Sequence, residues 1–295
     1  MTTPTPVTRL AAVLRADNPG PMTLDGTRSY VLRAPGASTC VVVDPGPDDA
    51  AHLDALAASG PVELVLVTHR HADHTAGAPG LRVRTGAPVR AADPAHCHGG
   101  EPLRDGEVIE AAGLRVVVHA TPGHTADSVC LLLPDDGPVA APADLAPGGT
   151  TVLTGDTVLG TGTTVIAAPD GSLGAYLASL DAIEAVASAG PGRATGLPGH
   201  GPVVDDLAER VRAYRVHRLE RLTQVRAALD ALGLAAGAHD SVEQVVERVY
   251  ADVDPSVLGA ARQSVTAQLA HLAETEGGRG AEADDRAPRG RDDAR

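Results

Sequence analysis

The chain of 295 residues has no Trp, no Phe and only four Tyr. Its core must therefore be built from Leu, Val, Ile and Ala, and few rings are available for stacking single-stranded bases. Lys is absent and Asn18 is the only Asn, a skew that marks a GC-rich coding genome and not a function. The three cysteines, Cys40, Cys97 and Cys130, are odd in number and lack CxxC spacing, which excludes a disulfide framework and points to a reducing compartment. No apolar run approaches membrane-spanning length, and Met1 to Pro6 lack a basic stretch leading into an apolar one. A cytoplasmic protein without membrane attachment is expected. The net charge of −14 disfavours indiscriminate binding to nucleic acid or anionic membranes. With 43% hydrophobic and 21% charged residues, global disorder is excluded, and the length suits one large domain with or without a small companion.

Up to residue 67 the pattern predicts strand, strand, helix, strand: Ser29–Leu32, Thr39–Val43, a helix over Asp49–Ser59, and the apolar run Val62–Val67. Short strands are then expected at Val83, Val89, Val108-Ile109 and Leu114–Val118. Residues 134–151, rich in Pro, Gly and Ala, read as a surface insertion between two strands. Ser172 is placed to cap the next helix, along which Leu177, Leu180, Ile183 and Val186 recur at helical spacing. Three helices follow: Asp205–Leu232, Val242–Tyr250 and Ser264–Glu274. The expected division is a domain over 7–204, a long helix with a compact helical module over 205–276, and a disordered polyampholyte tail over 277–295.

Directly after the run Val62–Val67 stands Thr68-His69-Arg70-His71-Ala72-Asp73-His74. On an irregular strand-end loop, His69 and His71 can point one way while Asp73 and His74 point another, which suits two adjacent ions. A single-zinc protease has a different, helical spacing. Three later positions complete the set: His124 in Pro-Gly-His, Asp156 in Thr-Gly-Asp and His200 in Pro-Gly-His, each beside a Gly at a strand-to-loop junction. His69, His71 and His124 would hold one ion and Asp73, His74 and His200 the other, with Asp156 bridging. Imidazole and carboxylate donors without Cys suit two Zn2+, with Mn2+ or Fe compatible on donor type. Such a pair delivers a bridging hydroxide as nucleophile at neutral pH, and Asp73 would orient it while ligating. The trio His96-Cys97-His98 has no second half elsewhere and reads as a surface loop.

The series His69-X-His71-X-Asp73-His74, His124, Asp156 and His200 resembles the dinuclear pattern of the metallo-β-lactamase superfamily. That resemblance implies an α+β fold, a four-layer αββα sandwich with metals at the sheet edge. Asp156 stands where true zinc β-lactamases of the common class have Cys, so antibiotic hydrolysis is not expected. Asn18–Thr27, Gly160–Thr164 and Tyr214–Arg218 resemble signatures of the β-lactamase-like protein 2 subgroup, which carries a winged-helix-like C-terminal module. Arg28 departs from the Asn usual there.

The resemblance implies a hydrolase of single-stranded RNA phosphodiesters, with a glyoxalase II-type thioesterase (acyl-glutathione, acyl-CoA or acyl-carrier) as the alternative. Six Arg against one Glu between residues 210 and 226 suggest recognition of an anionic ester-type substrate. Arg28, Thr164, Tyr214, His217 and Arg218 are the candidates for substrate contact, with Thr164, Tyr214 or His217 as leaving-group acid. A non-enzymatic winged-helix regulator would need a basic recognition helix, and Ser264–Glu274 contains no Arg. The helical module is better suited to packing on the catalytic domain or to forming a homodimer.

Overall fold

The computed structural model describes residues 3–137, 149–190, 192–251 and 258–284, the last with side chains as far as Thr275. Two compact units are present, 1–166 with 170–217, and 167–169 with 218–295.

The first unit holds two sheets. One has the order β1 (Thr5–Pro6), β2 (Ala11–Arg15), β3 (Arg28–Leu32), β4 (Cys40–Val43), β5 (Val62–Leu66), β6 (Val89–Arg90). The β4–β5 and β5–β6 pairings are parallel. Such strands need crossovers, supplied by α1 (Ala50–Ala57) and by α2 (Ala72–Thr75) with α3 (Ala78–Thr85). Asp49 caps α1 by accepting from the His52 N–H at 2.7 Å. The other sheet contains β7 (Val108–Ala111), β8 (Leu114–Ala120), β9 (Val129–Asp136), β10 (Gly149–Gly155) and β11 (Thr195–Pro198), ordered β11-β10-β9-β8-β7.

Alternation along the strands sends side chains to opposite faces. Val41 and Val43 join Leu32, Leu64 and Leu66 in a core shared with Val116, Val118, Leu131, Leu133 and Leu153 of the second sheet. Their neighbours Val42 and Val65 pack on the other face of the first sheet, with Leu53, Leu56 and Leu81 of α1 and α3. Helix α4 (Leu173–Ser188), capped by Ser172 as expected, is tied to ends of the second sheet. Its Tyr176 hydroxyl donates to the Thr157 carbonyl at 2.6 Å, and Ser179 donates to that of Pro122 at 2.8 Å.

Helix α5 (Leu207–Leu232) runs from the first unit into the second. The second unit is helical among its described residues, with α6 (Ser241–Val249) and α7 (Leu258–Asp284). Val225 and Leu229 of α5 pack with Val245 and Val246 of α6 and Val265, Leu269 and Leu272 of α7. No helix among the described residues is long and apolar enough to cross a membrane.

Several expectations are corrected. Val83 lies on α3 and is 86% exposed, since Leu81 takes the buried position there. The proposed insertion 134–151 begins and ends in paired strand, with Leu133 opposite Thr151 and Asp136 opposite Gly149, while 138–148 lie outside the described residues. The proposed tail is helical as far as Asp284, where Ala and Glu among the glycines continue α7; residues 285–295 lie outside the described residues.

Candidate metal centre

Five of the seven expected ligands leave strand ends or the turns after them, and the sheets bring these ends together. His69 and His71 follow β5, separated from it by Val67 and Thr68. Asp73 and His74 sit on the single helical turn α2, with His71 at its N-cap, and not on the irregular loop expected. Consecutive helical positions point about 100° apart, so one turn separates the two directions that the loop was expected to provide. His124 follows β8, Asp156 follows β10 and His200 follows β11.

Two groups result. In the first, His69 Nε2 and His124 Nε2 each lie 3.0 Å from His71 Nδ1, and Asp156 Oδ2 is 4.0 Å from His69 and 3.8 Å from His124. In the second, His74 Nε2 is 3.3 Å from both Asp73 Oδ2 and His200 Nε2, and His200 Nε2 is 3.1 Å from that same oxygen. Asp156 reaches this group too, with Oδ1 3.5 Å from His74 and Oδ2 3.4 Å from His200.

These residues fit metal ions. A tetrahedral site with bonds of about 2.0–2.1 Å spaces its donors roughly 3.3 Å apart, close to the separations in both groups. Buried ring nitrogens that converge on one another lack the protons to satisfy all of them, and the Asp156 Oδ1 atom is buried without a hydrogen-bond partner. Either feature is costly unless a cation completes it. His69, His74, His124, Asp156 and His200 are buried, whereas His71 is exposed and Asp73 half-buried, so the pair opens to solvent on their side.

Burial and the neighbouring imidazole of His74 hold His69 well below the ordinary histidine range, which leaves a neutral donor. Burial would raise Asp156 and Asp73, yet the surrounding histidines outweigh it and hold both far below the usual carboxylate range. Burial also works against protonation of His200, but hydrogen bonds to Asp156 and Asp73 prevail and push it up to about 9. His74 rises likewise, against its burial, through Asp156 and Asp44. Protonation is thereby favoured at both histidines of the second group.

A surrounding set of contacts was missed from sequence. Asp44, directly after β4, accepts from the Thr68 N–H at 2.8 Å and the Thr68 hydroxyl at 2.7 Å, and its Oδ2 lies 2.9 Å from His74 Nδ1. This fixes His74 with Nε2 toward the group. The Val165 carbonyl, 2.7 Å from His124 Nδ1, does the same for His124. The signal for Asp44 was a carboxylate closing an apolar strand, and its meaning depends on the parallel β4–β5 pairing, Val43 opposite Leu66. Close approach also requires glycine at 199: a Cβ there would stand 2.4 Å from Asp156 Oδ1 and 2.7 Å from His74 Cε1.

Of the expected substrate contacts, Thr164 lies at the centre, its hydroxyl 3.1 Å from His124 Nδ1. Tyr214 is buried, and its hydroxyl accepts from the Leu159 N–H at 3.0 Å, bracing the loop after Asp156. Arg28 turns to the Gly201 carbonyl and to Asp25, 2.9 Å away. His217 is half-buried on α5 and Arg218 is buried. Three of the six arginines of α5 are engaged within the first unit. Arg212 pairs with Glu184 at 2.7 Å, Arg215 with Asp181 at 2.6 Å, and Arg210 donates to the Gly160 carbonyl at 2.8 Å.

Residues 22–200 match the metallo-beta-lactamase superfamily, and residues 241–277 match the beta-lactamase associated winged helix domain. The lactamase-like protein adaB of Aspergillus niger is 30% identical over 238 residues, 76% of this chain but only 65% of that protein's length. An atrochrysone carboxyl ACP thioesterase of Aspergillus chevalieri is 31% identical over 276 residues, 89% of this chain and 81% of its own. Among solved structures, a beta-lactamase domain protein from Burkholderia ambifaria shares the fold with a TM-score of 0.70 at 22% identity, covering 92% of this chain and 89% of its own.

Proposed function

The chain belongs to the metallo-beta-lactamase superfamily of hydrolases, and on that footing we propose that it is a dinuclear metal thioesterase acting on acyl-carrier-type thioesters. The hydrolytic part rests on one observation: Asp156 stands within 4.0 Å of ring nitrogens in both ligand groups. His69, His71 and His124 would hold one ion and Asp73, His74 and His200 the other, with Asp156 shared. Zinc suits these donors, and manganese or iron accept the same types. Two such ions, when bound, supply a nucleophile at neutral pH and polarise a carbonyl oxygen. The chain's own part is to hold the donors in place through Asp44 and Val165 and to leave the His71–Asp73 side open for the acyl group.

The substrate class draws on the relative named as an ACP thioesterase, which is similar over 89% of this chain. Leaving-group chemistry supports it. A thiol of pKa about 8.5 departs as thiolate without a strong acid, whereas a ribose alkoxide needs a proton. Of the three residues considered for that proton, the Thr164 hydroxyl faces His124 and that of Tyr214 faces Leu159, while His217 is half-buried on α5. The arginines of α5 were expected to serve an anionic group of either substrate class and do not separate the two; Arg210, Arg212 and Arg215 are engaged by the chain's own oxygens. Acyl-glutathione and acyl-CoA remain within the same thioester chemistry.

The test is metal analysis of the purified protein, then turnover of acyl-pantetheine, acyl-CoA, acyl-glutathione and single-stranded RNA. Release of free thiol from the pantetheine-bearing substrates, with RNA left intact, is expected. RNA cleavage without thiol release would reverse the assignment.

A further inference from the structure

Asn18, the only asparagine in the chain, lies in a turn whose far end touches the second ligand group. Its side-chain amide engages Thr27 twice, with Oδ1 2.9 Å from the Thr27 N–H and Nδ2 2.9 Å from the Thr27 hydroxyl oxygen. The backbone N–H can only donate, so the atom facing it must be the carbonyl oxygen. The amide nitrogen then necessarily faces the hydroxyl and donates to it. This occupies a lone pair of the Thr27 oxygen and leaves its single proton to point elsewhere. The remaining neighbour is Asp73 Oδ2 at 3.3 Å, the oxygen that lies among His74 and His200.

The same turn reaches the other half of that group. Thr27 pairs with His200 in an isolated antiparallel bridge, the Arg28 N–H donates to the Gly199 carbonyl at 2.8 Å, and the Gly26 carbonyl lies 3.4 Å from His200 Nδ1. Internal bonds stiffen it: the Thr23 hydroxyl donates to the Asn18 carbonyl at 2.6 Å, and the Ala16 N–H to the Thr27 carbonyl at 2.8 Å. Thr27 is fully buried, so water does not compete for its hydroxyl. The first group is supported from other elements, by Thr68 at His69 and Val165 at His124.

We infer that Asn18 and Thr27 are positioning residues for the second metal ion alone: a directed relay from the Asn18 amide through the Thr27 hydroxyl sets the Asp73 carboxylate, and the turn they latch sets His200. The inference rests on the two-ion reading of the centre. It assigns a role to the Asn18–Thr27 stretch that its resemblance to a sequence signature leaves unexplained.

Asn18→Asp probes the direction of the relay. An aspartate still accepts from the Thr27 N–H but cannot donate to the hydroxyl, which then turns its proton to residue 18 and away from Asp73. Thr27→Val removes the hydroxyl at nearly constant volume, and Thr27→Ser keeps it. Metal-stripped full-length proteins would be titrated with Zn2+ against a chromophoric chelator, with thermal unfolding measured alongside. The wild type should take up two equivalents. Asn18→Asp and Thr27→Val should each weaken one of the two by about 10–100-fold and leave the other within about threefold, the usual scale for removing an outer hydrogen bond from a ligand. Thr27→Ser should retain both. Two tight equivalents in Asn18→Asp and Thr27→Val overturn the relay alone, as does equal weakening of both equivalents. A wild type that takes up fewer than two overturns the two-ion reading, and the relay with it.

Discussion

Asp44 Oδ2 lies 2.9 Å from His74 Nδ1, and both side chains are essentially buried. The same carboxylate holds the backbone N–H and the hydroxyl of Thr68, next to His69. One side chain after β4 thereby steadies a ligand in each group. Asp44 itself adopts a left-handed backbone conformation, φ 52°, which Asp tolerates better than most residues.

Replacing Asp44 by Ala should therefore loosen metal binding and lower stability together. Loss of the outer partner of His74 should cost about 10–100-fold in metal affinity. The Thr68 N–H, left buried without a partner, should cost about 1–3 kcal/mol. Chelator competition and denaturant unfolding measure the two effects. Unchanged metal affinity would reduce Asp44 to a purely structural role.

Asp156→Ala removes the carboxylate common to both groups. Turnover should fall to background, and the protein should retain fewer than two metal equivalents after dialysis. Thiol release and elemental analysis report this. Full activity in the variant would remove the two-ion mechanism from consideration.

Gly199→Ala introduces a Cβ 2.4 Å from Asp156 Oδ1, where the backbone is held by the Arg28 N–H. Neither side can retreat freely, so stability should fall by about 1–3 kcal/mol, the usual cost of overpacking. Metal content should drop with it. Thermal unfolding with and without added Zn2+ separates the two losses.

Protons and metal compete for His200. Its folded pKa in the metal-free protein is raised to about 9 from an ordinary value near 6.5, because its bonds to Asp156 and Asp73 outweigh burial. The sign follows: the stabilisation from protonated His200 is fully present below about pH 6.5 and is lost as pH rises through about 9. Metal-stripped protein should thus lose stability across that window. Zn2+ uptake at pH 7 must displace this proton and that of His74, so apparent affinity should rise with pH through about 9. Calorimetric titrations in buffers of different ionisation enthalpy would count the protons released. Zero release at pH 7 would contradict the raised value.

Much of the candidate centre is legible in the sequence. His69, His71, Asp73, His74, His124, Asp156 and His200 stood out because ligand chemistry demands particular residue types, and glycine-flanked strand ends are where such residues can converge. The helices α1 and α4 followed from apolar spacing and, at α4, the Ser172 cap, and α5 from a stretch without Pro, all of which are local properties. The one-turn helix under Asp73 and His74 escaped because four residues are too few for a periodic signal. Val83 was misplaced because a single apolar residue does not say which face of an element is covered.

By itself, then, the sequence determined the candidate donor set, the apolar runs that form strands, and the scarcity of aromatic platforms. It could not determine which uncharged or acidic neighbours touch that donor set. Asp44, Thr27, Asn18 and the Val165 carbonyl belong to segments far apart in the chain from most of the atoms they steady. A hydrogen bond carries no local periodicity, so only strand pairing and sheet packing could bring these groups within reach. Tertiary structure likewise decided the fate of the basic helix. The arginines at 212 and 215 read as candidates for an anionic partner until α4 supplied Glu184 and Asp181, because charge is visible in a sequence and its pairing is not.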